Sequence, residues 1–216
     1  MSDPFATLNT MAKKARQLAL HLPTWGGRRK HAGRKAKGKR PRVSHRPREL
    51  LRAGWAVHVT LRVHDYVWNL RSRRCFSVIE RAFAAAKDRF GMRVVHFSVQ
   101  GNHIHLLIEA ADNEALARGM RGVTIRVAKA LNRVMERRGP VFADHYHSRV
   151  VRTPTEAARA VNYVLWNHAH HAKQWGETLG EDAVDPFSSA KCNGAEPSPV
   201  SEPQTWLLKV GCLRAA

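Results

Sequence analysis

The chain has 216 residues, with 37 Lys and Arg against 17 Asp and Glu and a formal net charge of +20. That length suits one medium domain with appendages. The charge points to a polyanion, since each phosphate contact releases counterions and needs no sequence readout. Three widely spaced cysteines, Cys75, Cys192 and Cys212, speak against a disulfide framework or a thiolate zinc site and suit a reducing cytoplasm. No apolar run approaches the roughly 18 residues of a membrane span, and no signal peptide is apparent.

In chain order, the charge comes first. Between Arg28 and Arg48 stand eleven Lys or Arg and no acid, mixed with Gly, Pro and Ala, a composition too polar and self-repelling to fold alone. Residues 1 to 48 therefore read as a flexible basic arm, with a possible short helix from Leu8 to Leu22. Its candidate nucleic-acid contacts are Arg28, Arg29, Lys30, Arg34, Lys35, Lys37, Lys39, Arg40 and Arg42. Residues 49 to 176 read as the folded body. Trp55 to Val63 alternates as a strand, with Ala56, His58, Thr60 and Arg62 on the face opposite Trp55, Val57, Val59 and Leu61. Phe76, Ile79, Phe83 and Ala86 repeat at helical spacing, predicting a helix from about Cys75 to Phe90 that stops at Gly91. Arg93 to Val99 and His103 to Glu109 form a hairpin through Gly101-Asn102. A basic helix spans Asn113 to Arg138 and ends at Gly139-Pro140, and Tyr146 to Val151 forms a further strand. Thr153-Pro154-Thr155-Glu156 opens the last helix with a capping box and Pro at its first position. From 177 to 216 the balance turns acidic and Pro-rich, an irregular tail whose last turn, Trp206-Leu207-Leu208, docks on the body.

Two short stretches carry candidate chemistry. His103 and His105 sit two apart on an apolar strand, so both imidazoles project to one face where one cation can meet them. Tyr163 and Asn167 are four apart in a helical segment, so a phenol and an amide oxygen lie one turn apart on one side. A His-x-His pair on a strand is also an ordinary half-buried pair, and Tyr163 on an amphipathic helix is also a core residue. His145-Tyr146-His147 repeats the spacing, which makes Tyr146 a rival nucleophile, although on a strand it faces the core while its two His face outward.

Together with Gly139-Pro140-Val141-Phe142 through Arg149 and Asp185-Pro186-Phe187-Ser188-Ser189, the stretches Gly101 to Ile108 and Asn162 to Asn167 resemble the HUH-type single-tyrosine transposases. Within them the similarity is to the REP-associated tyrosine transposases of the IS200-like kind, over about residues 50 to 190. Where the family has Pro after the Asn matched to Asn167, and Pro before the Asn that opens the His pair, this chain has His168 and Gly101. Neither change removes a chemical group, though His168 can extend the helix and shift the geometry around Asn167.

The element order is α+β. The resemblance implies a ferredoxin-like (HUH/RRM-like) antiparallel sheet with helices on one face, the His pair on a central strand, and the Tyr163 phenol pointing at it. It also implies cleavage and transfer of single-stranded or hairpin DNA through a 5′-phosphotyrosine, in the cytoplasm at the nucleoid, by a monomer or homodimer. In this reading His103, His105 and Asn167 hold Mg²⁺ or Mn²⁺, hard ions that phosphate oxygens prefer. Zinc ranks below them, although His168, His170 and His171 cluster near Asn167. Those three also read as a solvated helix end favoured by the dipole. The alternatives are a non-catalytic basic DNA- or RNA-binding module that keeps the fold, and a ribosome- or nucleoid-associated protein resting only on Arg28 to Arg48.

Overall fold

Alternating apolar and polar residues from Ala56 onward need a sheet with two different faces, and the chain supplies one. The computed structural model describes residues 47–174, 184–192 and 198–215. The nine candidate contacts from Arg28 to Arg42 lie outside them, as do the Leu8 to Leu22 helix and the acidic run Glu177 to Asp182. The strands are β1 (Ala56–Arg62), β2 (Asp88–Arg89), β3 (Met92–Val99), β4 (His103–Ala110) and β5 (His147–Val151). They form one antiparallel sheet in the order β2-β3-β4-β1-β5. β4, with the His pair, is therefore the middle strand.

Val57, Val59 and Leu61 of β1, Phe97 and Val99 of β3, and Ile104, Leu106 and Ile108 of β4 fill the larger core. Helices α1 (Arg73–Ala84) and α2 (Asn113–Val134) cover that face. Ser72 caps α1 by accepting from the Cys75 N–H at 3.4 Å, and Asp112 caps α2 by accepting from the Ala115 N–H at 2.7 Å, each satisfying a backbone donor that the helix itself leaves open. The opposite face is covered too. There Ala56, Val95, Leu107 and Val151 meet Ala157, Ala158 and Val164 of α3 (Pro154–Gln174). The expected helices on one face are thus α1 and α2, while α3 lies across the other side and makes the sheet a middle layer.

Two helices stop short of their apolar pattern. α1 ends at Ala84 rather than near Phe90, and Phe90 and Gly91, with φ of +58° and +74°, make the turn between β2 and β3. This turns the polar Asp88-Arg89 pair back against β3, where Arg93 Nε lies 3.2 Å from Asp88. α2 ends at Val134 rather than Arg138, since Glu136 and Gly139 take φ of +50° and +109°. A left-handed residue ends the i to i+4 ladder whatever the side-chain pattern beyond it.

The C-terminal turn, Leu207–Gly211 followed by α4 (Cys212–Arg214), seats Leu207, Leu208 and Cys212 in the smaller core. Buried Glu109 of β4 fastens it, accepting from the N–H groups of Gln204 and Thr205 and from Thr205 Oγ1 at 2.7 to 3.2 Å. No helix among the described residues is long and apolar enough to cross a membrane.

Candidate active site

The side chains that matter come from β1, β4 and α3. β1 pairs with β4 so that Thr60 stands opposite His105 and Arg62 opposite His103. On β4 the two imidazoles project to the α3 face, their ring centroids 4.8 Å apart and nearly perpendicular. His103 Nδ1 lies 2.8 Å from Asn102 Oδ1, a contact that makes Nδ1–H the donor and leaves Nε2 as the ring's electron-pair donor. His105 Nδ1 lies 3.1 Å from His58 Nε2 and 3.2 Å from Thr60 Oγ1. Both partners can accept, so the two contacts suit the same tautomer in His105.

His58 is a residue whose role the sequence left undeclared. Burial, with the positive charges of His147 and Arg149 beside it, lowers its pKa from 6.5 to about 4, so it is neutral at physiological pH and its Nε2 can accept. Its alternation on β1 was legible, but a facing His105 is not readable without the register.

α3 begins as its capping box requires. Glu156 Oε2 accepts from the Arg152 and Thr153 N–H groups at 2.9 and 3.3 Å, and Thr153 Oγ1 accepts from the Glu156 N–H at 3.2 Å. The helix carries Tyr163 to the His pair. Its ring stands edge-on to His105 at 5.2 Å and to His58 at 5.6 Å, with 41% of the residue open to solvent. One turn further on, Asn167 is buried, and its Nδ2 makes no hydrogen bond among the described residues. A buried amide group with no partner costs free energy unless something else satisfies it. Rotation about the terminal torsion exchanges Oδ1 and Nδ2, so this position can offer a hard cation an oxygen. Two imidazole nitrogens and an amide oxygen fit a divalent ion that keeps open positions for phosphate.

Among the described residues no three His, Cys, Asp or Glu side chains gather closely enough to hold a metal ion. His168 turns instead toward Asp185, with Nδ1 3.8 Å from Oδ2, and the side chains of His170 and His171 are outside the described residues. Tyr146 lies on the other side of the sheet. It packs against the larger core with Arg48 3.7 Å over its ring, and the Arg48 guanidinium donates to its hydroxyl at 2.7 Å. Burial raises its pKa against the pull of Arg48, while His145 and His147 are exposed.

The Asp185 to Ser189 run is a strap. Buried Asp185 takes both guanidinium nitrogens of Arg71 at 2.9 and 3.0 Å, and Arg71 also donates to the Val99 carbonyl. The Val99 N–H donates to the Phe187 carbonyl, Ser188 bridges Ser98, and Ser189 Oγ accepts from the Phe97 N–H. The strap covers the β3 edge that β2 is too short to reach and sets Asp185 beside His168 of α3 as well as Arg71.

Against known proteins, the family model described as "Transposase IS200 like" matches residues 55–167. Among solved structures, a REP-associated tyrosine transposase bound to a REP hairpin superposes with a TM-score of 0.52 at 13% identity, covering 76% of this chain and 93% of that one. A second structure, titled a "putative transposase" from Deinococcus radiodurans R1, gives 0.39 at 12% identity, covering 66% and 100%. No curated protein matches.

Proposed function

Because the chain belongs to the family of IS200-like transposases, we propose that it cuts and rejoins single-stranded DNA with Tyr163 as nucleophile, holding Mg²⁺ or Mn²⁺ on His103, His105 and Asn167. The observation that carries this reading is the Tyr163 ring, exposed and edge-on to His105 at 5.2 Å. A phenol placed for core packing would be buried, as Tyr146 partly is.

The Tyr163 oxygen attacks phosphorus in line. A bond forms between that oxygen and phosphorus, the bond from phosphorus to the 3′ oxygen breaks, and the phenol proton is balanced by the one the 3′ oxygen takes up. Protein is left joined to the 5′ phosphate. A bound divalent ion supplies Lewis acidity to a non-bridging oxygen and to the leaving oxygen. Asn102, His58 and Thr60 hold the two imidazoles in the tautomer that faces the phosphate. Since a phenolate also leaves well, a second 3′-OH reverses the step, and strand transfer needs no nucleotide hydrolysis. The hairpin bound by the solved relative supports a hairpin-flanked single strand as the DNA partner here.

The test is strand polarity. A 3′-labelled single strand should run with the protein on a denaturing gel, and a 5′-labelled one should not. Tyr163→Phe keeps the ring and loses one oxygen, so the adduct should disappear while DNA binding persists; Tyr146→Phe should leave the adduct intact. Loss of the adduct in Tyr146→Phe alone would move the nucleophile to the other face of the sheet. No adduct from the wild type, on hairpins and single strands with either ion, would favour a binding module.

A further inference from the structure

Beside Tyr163 an open cleft of about 320 Å³ runs between β5 and the first turns of α3, with His58 of β1, the neighbour of His105, in its wall. Arg149, Val151, Glu156, Arg159 and Ala160 line it together with Tyr163. We infer that this cleft is a subsite for one nucleotide of the DNA strand adjoining the phosphate at Tyr163, with Arg149 and Arg159 gripping its outer phosphate. The inference rests on Tyr163 being the residue that meets DNA, and it adds what holds the strand there.

Size, walls and charge agree on the occupant. The volume sits at the lower end of small-molecule pockets, room for a nucleoside and too little for a duplex. Val151 is buried and Ala160 partly so, giving an apolar floor for a sugar or base face next to the Tyr163 ring. The rim carries two guanidinium groups, which match phosphate as planar forks. Arg149 faces α3 because it pairs with His58 across β1 and β5, and strand alternation puts both on one side. Its Nη2 lies 3.8 Å from Glu156 Oε1 with 70% of the side chain exposed, too far for a charge-assisted hydrogen bond. Arg149 can therefore turn to a phosphate without breaking a strong pair. Glu156 is committed elsewhere, its carboxylate taking the Arg152 and Thr153 N–H groups. It sets a negative boundary on a site otherwise suited to an anion.

The probe is thymidine 3′,5′-bisphosphate, titrated into the full chain by calorimetry, with inorganic phosphate in parallel. Arg149→Ala and Arg159→Ala should each weaken the bisphosphate by about tenfold, the effect of one charge-assisted contact. Glu156→Gln keeps the capping acceptor and removes the charge, so it should tighten binding. Both arginines are exposed, and circular dichroism melting checks that the variants fold. Unchanged affinity in both arginine variants, or inorganic phosphate binding as tightly as the bisphosphate, overturns the subsite. The titration involves no cleavage, so it can succeed where no tyrosine adduct forms. Conversely, an adduct formed at unchanged KM by both arginine variants would sink the subsite and leave Tyr163 standing.

Discussion

His58 Nε2, 3.1 Å from His105 Nδ1, stands on a strand that holds no proposed metal ligand and meets one that holds two. Its contribution is orientation. His58→Ala leaves Thr60 as the other nearby acceptor, and groups that orient a ligand are worth about 10- to 100-fold in metal affinity or activity. The expected result is a higher Mn²⁺ requirement for adduct formation in His58→Ala, with partial recovery in His58→Gln, whose amide can accept. An unchanged Mn²⁺ curve would mean that His105 is held by Thr60 alone. A second histidine acts on stability. Burial lowers the His96 pKa from 6.5 to about 4, so as pH falls the unfolded chain takes the proton first. Stability is then full above about pH 6.5, declines as pH falls toward 4, and levels off below, with a total of up to about 3 kcal/mol. Urea unfolding at pH 7 and pH 5 should show a smaller loss in His96→Gln, which keeps a partner for Ser189 Oγ, 3.3 Å away in the native protein. An identical loss would place the proton uptake elsewhere.

At the scale of elements, α2 packs against β3 so closely that a Cβ on Gly119 would come within 2.6 Å of Met92 Cβ. In an exposed helix Gly→Ala gains up to about 1 kcal/mol. Here overpacking costs about 1 to 3 kcal/mol, so Gly119→Ala should lower the melting temperature despite better helix propensity; a rise would mean the two elements can slide apart. The sign depends on which strand lies under α2, and that is where sequence reading reached its limit. Helical and strand periods placed every long element, and the capping box at Thr153 fixed the face of α3 that carries Tyr163 and Asn167. They could not foresee that Phe90 and Glu136 take positive φ, because neither is the glycine that such turns favour. Nor could they supply register, so His58 and Arg149 read as polar positions on separate strands although the sheet sets them side by side. The strap was visible as a motif, but its work depends on Arg71, which is 114 residues away from Asp185 and carries no local sign of a partner.

Over the whole molecule, the sheet divides the labour: α1 and α2 fill one face, and Tyr163, the His pair and the arginine-rimmed cleft share the other. Charge is divided differently. Residues 1 to 46 hold thirteen Lys and Arg against one acid, Asp3, and so carry 12 of the 20 net positive charges. Arg48 belongs with the body, since it donates to Tyr146, and Asn113 binds the Glu49 carbonyl. A deletion that tests the arm should therefore end at residue 46. We expect the shortened protein to bind every DNA sequence more weakly, because phosphate neutralisation is blind to sequence. The slope of log affinity against log salt should become shallower by about 0.7 for each single-strand phosphate the arm contacts. Tyrosine adduct formation at saturating DNA should survive, since every proposed ligand and the nucleophile lie between His103 and Asn167. Fluorescence anisotropy with one labelled single strand across a salt series measures the slope, and the denaturing gel measures the adduct. An unchanged slope would remove the arm from the DNA contact and leave the steering to the body's remaining net charge of +8. Loss of the adduct with an unchanged slope would instead make the arm part of the catalytic assembly, which a purely electrostatic role does not allow.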